Sequence, residues 1–376
     1  MICFCGALFF QGLGLSFVSP LVTRITQNIG VTLSVFSGLL IFKSLMYSLG
    51  SFLLGKVQKN ISPNKLISLG LITLPLIAFI YPQTHHAAAA AAAFCILGIS
   101  SALTEGGADI QNGNLPEEFA GRLNYLQYAS MSLGAMTGPF LLRFFMERSE
   151  NILRLPFYTM LPALLIALRL WFLREPDAVR SKAENRSTSL TRIVILSAIL
   201  MFFACGIDSA LNSWSPTAVF RLGTVSEADA ALMPTFFAIG SLLSRLIGAI
   251  LSHRLRSEVI FTFAVSAVLA AAAGLFLTRN YSLMLGLQFL FGFGNGAIFS
   301  ALLVLLQKSG NAGGNAVGFI MGMKNIGDMF FSWSTGVILD QKGTQAFFSV
   351  LAFGALMSFT IHGFIRRGIR PQSGKE

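Results

Sequence analysis

The chain has 376 residues, of which 54% are hydrophobic and only 11% charged. A soluble domain carries about 25% charged residues, so this composition argues against one. The net charge of +11 raises the question of nucleic acid, but the basic residues lie between apolar runs and form no continuous basic face.

Apolar stretches of about 20 residues, each long enough to cross a bilayer, recur along the whole length. They are expected near 2–23, 33–55, 65–81, 87–111, 122–145, 152–173, 192–217, 229–251, 258–278, 282–306, 315–338 and 345–365. The first has no charged leading segment and no small-residue cleavage site, and it runs through Pro20, so it reads as a span rather than a signal peptide. The reading is an all-α membrane protein of twelve helices.

Basic residues set the orientation. With the N-terminus in the cytoplasm, sixteen Lys and Arg fall in inner loops and the tail. Only six (Arg24, Arg148, Arg154, Arg221, Arg279 and Lys342) fall outside. Both termini are therefore expected inside a cell membrane. The longest polar stretch, 174–191, reads as a cytoplasmic linker between a six-helix half at 1–173 and a second at 192–376. The halves carry matching features. Pro20 and Pro216, expected to end the first helix of each half, stand 196 residues apart; the glycine pairs Gly121/Gly134 and Gly314/Gly327 are offset by 193. Such an offset indicates duplication.

Charges inside apolar runs are the sharpest functional signal, because each is costly in hydrocarbon. Glu105 and Asp109 fall four apart in the fourth span, on one helical face; Asp208 lies in the seventh, and Lys43 in the second. Lys324 and Asp328 are spaced for an i, i+4 pair in the eleventh. Asn124 and Gln127 in the fifth span, with Asn212 and Trp214 beside Asp208, add amides and an aromatic face. Those are groups suited to a polyol. The four Cys and four His are scattered without metal-ligand spacing. Gly134 and Gly138 in the fifth span, and Gly292, Gly294 and Gly296 in the tenth, read as sites of close helix packing.

At these residues the chain resembles the major facilitator superfamily. It is most similar to the branch of fucose and galactose symporters and sodium-dependent glucose transporters. The resemblance is carried by Glu105, Asp109 and Gln111; by Arg122-Leu-Asn124-Tyr-Leu-Gln127; by Asp208; by Met233-Pro234-Thr-Phe-Phe237; and by Ile326-Gly327-Asp328-Met329, with Gly336 and Gly343 following. It departs where the branch has Asn, here Asp109, and where its proton symporters carry a helix-one acid, here Ser16. The turn Gly55-Lys-Val-Gln-Lys59-Asn60 stands where the family's gating signature lies, without its Asp and Arg.

The resemblance implies two pseudo-symmetric halves that rock about a central site. It implies a monomeric transporter, not an enzyme, moving a small polar solute, a sugar, through the lipid bilayer without a cofactor. Coupling would be to H⁺ or Na⁺. Glu105 and Asp109 would hold the ion; Asn124, Gln127, Asp208, Asn212 and Trp214 would contact the solute. Efflux of amphipathic compounds, and a non-transporting receptor or scaffold, stand as the alternatives.

Overall fold

In hydrocarbon every backbone N–H and C=O must be satisfied within its own segment, so apolar runs of this length fold as helices. The computed structural model describes residues 2–57, 60–113, 117–146, 151–173, 191–251, 256–308 and 314–369. The gating-signature residue Lys59, most of the linker and the basic tail beyond 369 lie outside them.

The first span is a bent pair, α1 (Ile2–Ser16) and α2 (Val18–Ile29), meeting at 41°. The bend falls one turn before Pro20, which has no N–H for the Ser16 carbonyl. Next come α3 (Leu33–Val57), α4 (Pro63–Gln83), α5 (Ala87–Gly113) and α6 (Glu117–Met146). The sixth span is a 3₁₀ turn (Ile152–Arg154) followed by α7 (Leu155–Met160) and α8 (Ala163–Phe172), interrupted at Pro162. The second set begins with α9 (Arg192–Phe220), started by Thr191, whose hydroxyl accepts from the Val194 N–H. After a four-residue α10 (Glu227–Ala230) come α11 (Met233–Leu251), α12 (Ser257–Leu277), α13 (Tyr281–Lys308) and α14 (Gly314–Ile369). The long α14 is two spans. Gly343 breaks it at φ 80°, ψ −176°, a conformation open essentially to glycine alone.

Among the described residues the helices thus account for twelve passes. Nine candidate spans pass by length and hydropathy, one of them the two-span α14, and the α1–α2 pair adds another. The remaining pass is α6, 30 residues long and comparatively polar. The two prolines do not end their helices as expected. Pro20 lies within α2, and α9 continues past Pro216 to Phe220.

Within the first six passes α1 lies along α6, and α3 and α4 pack on α5; within the last six α9 lies along α14, and α11 and α12 pack on α13. The two sets meet through α3 on α14, α6 on α11 and α2 on α9. Glycine makes two of these seams possible. A side chain at Gly134 would collide with the Phe9 carbonyl of α1. One at Gly98 of α5 would collide with the backbone of α3 at Lys43 and Tyr47, which fixes where those two side chains emerge.

Candidate functional site

Helices α1, α2, α3, α5, α6, α9, α11 and α14 surround a central cavity of about 370 Å³. Three acids and three bases line it: Glu105 from α5, Asp208 from α9, Asp328 and Lys324 from α14, Lys43 from α3 and Arg245 from α11. Both sets of six passes contribute charge of both signs.

Their partners differ. The Lys324 ammonium lies 2.9 Å from the Asp328 carboxylate, one helical turn away. Glu105 accepts instead from the neutral Tyr47 Oη at 2.9 Å. Asp208 accepts from the Asn212 amide at 2.7 Å, again one turn along its own helix. Arg245 donates to the Tyr128 carbonyl at 3.0 Å and to the Ser132 hydroxyl, and its guanidinium lies 5.8 Å from the Tyr128 ring centre. Lys43 has no carboxylate within ion-pair distance among the described residues. Ser16, at the α1–α2 bend, also lines the cavity, and its hydroxyl donates to the Leu13 carbonyl at 2.8 Å.

Other expected site residues sit elsewhere. Trp214 is fully buried and absent from the cavity wall. Its Nε1 donates to the Ser332 carbonyl at 2.8 Å, and its ring meets Phe36 of α3 edge-on at 6.3 Å. It packs α9 against α14 and α3 rather than offering a face to a solute. Gln127 is also buried away from the cavity wall. Asp109 lies one turn beyond Glu105, exposed and off the wall, with Tyr128 Oη donating to it at 3.4 Å. The Asn124 side chain lies outside what the structure describes.

One residue was misplaced by its sequence context. Arg245 precedes Gly248 and reads as a basic anchor at a loop. In the structure it faces the cavity, six residues and roughly 9 Å of helix before the end of α11. Its depth within an apolar run was the available signal.

At one end of the bundle the two sets are pinned together. Ser226 caps α10, its hydroxyl accepting from the Asp229 N–H at 3.1 Å. The two acids of that short helix then reach across: Glu227 to Arg24 of α2 at 3.0 Å, and Asp229 to Arg143 of α6 at 2.8 Å. Asp340 of α14 accepts from the Ser34 hydroxyl of α3 at 2.6 Å and from its N–H at 3.1 Å. Among the described residues, every ion pair between the two sets lies at this end.

Residues 4–332 match the model of the Major Facilitator Superfamily. The chain belongs to that superfamily. It is a multi-pass membrane transporter rather than an enzyme. An uncharacterised MFS-type transporter of Bacillus subtilis (strain 168), YfkL, is 22% identical over 326 residues, which cover 83% of this chain and 80% of that protein. A mutant of the nucleoside transporter NupG superposes with a TM-score of 0.71 at 15% identity, covering 98% of this chain and 99% of that one. A bacterial homologue of the human lysosomal transporter Spinster, inward-facing and occupied, gives 0.68 at 15% identity, covering 98% and 94%. At such identities the likeness is one of fold.

Proposed function

We propose that this transporter carries a small hydroxyl-bearing solute of the sugar class through the central cavity by cation-coupled alternating access. The observation that supports it most is the cavity itself. Carboxylates and serine hydroxyls from both sets of six passes converge there with two amides from the second, and ion pairs join the sets at one end. A volume of about 370 Å³ is near the lower end for ligand sites, typically ~300–1,000 Å³, and suits one sugar-sized solute. The likeness to NupG, named as a nucleoside transporter, is compatible with a sugar ring as part of the cargo.

The halves 1–173 and 192–376, joined by 174–191, serve as the rocking units, and both termini are cytoplasmic. In that orientation the end pinned by ion pairs is the outer one. Glu105 is the ion-coupling group, because it faces the cavity with only a neutral hydrogen-bond donor. Asp109, off the wall, has the supporting role. Asp208 and Asn212 contact the solute.

Uptake into proteoliposomes of a labelled sugar and nucleoside panel, under separate Na⁺ and H⁺ gradients, tests the reading. Accumulation on one gradient is the expected result. Facilitated flux that no gradient concentrates would remove the coupling, and movement of lipophilic cations alone would replace the solute class.

A further inference from the structure

The six charged groups on the cavity wall sum to zero charge, yet they form one ion pair, Lys324 with Asp328. The other four line the cavity with no opposite charge within ion-pair distance among the described residues. A charge taken out of water and left unpaired is expensive, so a wall built this way calls for counter-charges in its contents. Lys43 makes no hydrogen bond or ion pair among the described residues. Arg245 uses Nη1 on two neutral acceptors, which leaves the rest of its five-donor fork for two oxygens of an oxyanion. Glu105, held by the Tyr47 hydroxyl, and Asp208, held by the amides of Asn212 and Asn295, are the matching sites for positive charge.

We propose that the solute carries one anionic oxygen group, a carboxylate or a phosphate ester, held between Lys43 and Arg245, while the coupling cation balances it at the carboxylates. A sugar acid or sugar phosphate is the class that fits. Lys43 belongs to α3 and Arg245 to α11, on opposite sets of six passes, so the anion bridges the two moving parts. A neutral sugar would leave both cations without an ion-pair partner. The inference rests on the transport reading above and narrows its substrate class.

The test is ligand-induced thermal stabilisation of the purified full chain by gluconate, glucose 6-phosphate and glucose, followed by flux in proteoliposomes. Gluconate or glucose 6-phosphate should raise the melting temperature, and which of them does so identifies the group; glucose should not. Lys43→Gln should weaken that binding about 10- to 100-fold, the range for a lost hydrogen bond to a charged group. Arg245→Lys keeps the charge but not the fork and should lose less. Stabilisation by glucose with both anions inert overturns the proposal, as does no stabilisation by any of the three. So does a folded Lys43→Gln variant that binds the anion like the unmodified chain. An anion that binds but never crosses the bilayer leaves the proposal standing and sinks the transport reading instead.

Discussion

The sealed end of the bundle and the central cavity use the same residue types to opposite effect. Their ion pairs are about equally exposed: the Arg24 and Glu227 side chains are 31% and 24% exposed, and those of Lys324 and Asp328 33% and 23%. The regions differ in how many of their charges are paired. At the sealed end, acids on α10 meet basic residues of the other set of passes. Around the cavity, four of the six charges have no opposite charge within ion-pair distance among the described residues. Paired charges hold two bodies in register; unpaired ones facing a shared space await contents.

The largest expected effect lies outside both regions. Trp214 joins α9, α14 and α3, so Trp214→Ala should cost about 3–5 kcal/mol of stability, as deletion of a buried aromatic side chain does. Thermal unfolding in detergent would show it. A variant of unchanged stability but weakened solute binding would return Trp214 to the site.

Next comes the pair within the cavity wall. Removing either Lys324 or Asp328 should cost about 2–3 kcal/mol. That is below the ~3–5 of a fully buried pair, because both side chains keep some solvent contact. The double variant should be more stable than either single one. Additive losses in a double-mutant cycle would show that the pair is not a unit.

The latch should give the smallest effect. Part-exposed ion pairs contribute about 0.2–1 kcal/mol each, enough to shift a two-state equilibrium by roughly 1.4- to 5-fold. In a background without the four cysteines, Ser19→Cys on the cavity wall reports access from the sealed end. Arg24→Ala with Arg143→Ala should speed its labelling by an impermeant thiol reagent. Unchanged labelling would mean that packing alone, through α2 on α9 and α6 on α11, keeps that end shut.

Much of this architecture was legible in the sequence, for a physical reason. Membrane helices need long apolar runs, so the twelve passes stood out, and Gly134 and Gly292 marked close seams because only a missing side chain permits them. The break at Gly343 fell inside an expected loop. The orientation of particular side chains was less legible. Trp214 lies two residues past Asn212, about 200° around the helix, which turns it from the cavity toward Phe36. Glu105 and Asp109 share a face, but one turn along it carries Asp109 off the cavity wall. Arg245 was hidden by a nearby glycine that resembled a turn. Periodicity tells which residues share a face; only the neighbouring helices tell what that face sees.

The central claim is that the unpaired charges of the cavity serve transport, with Glu105 coupling the cation. The most direct measurement compares two modes in Glu105→Gln proteoliposomes: uphill accumulation on an ion gradient, and exchange of solute at equal ion concentrations. The account predicts that accumulation falls by at least about 100-fold while exchange persists, and that Asp109→Asn is milder, since that residue stands off the wall. A Glu105→Gln variant that still concentrates solute against its gradient would contradict it and pass the coupling role to Asp208.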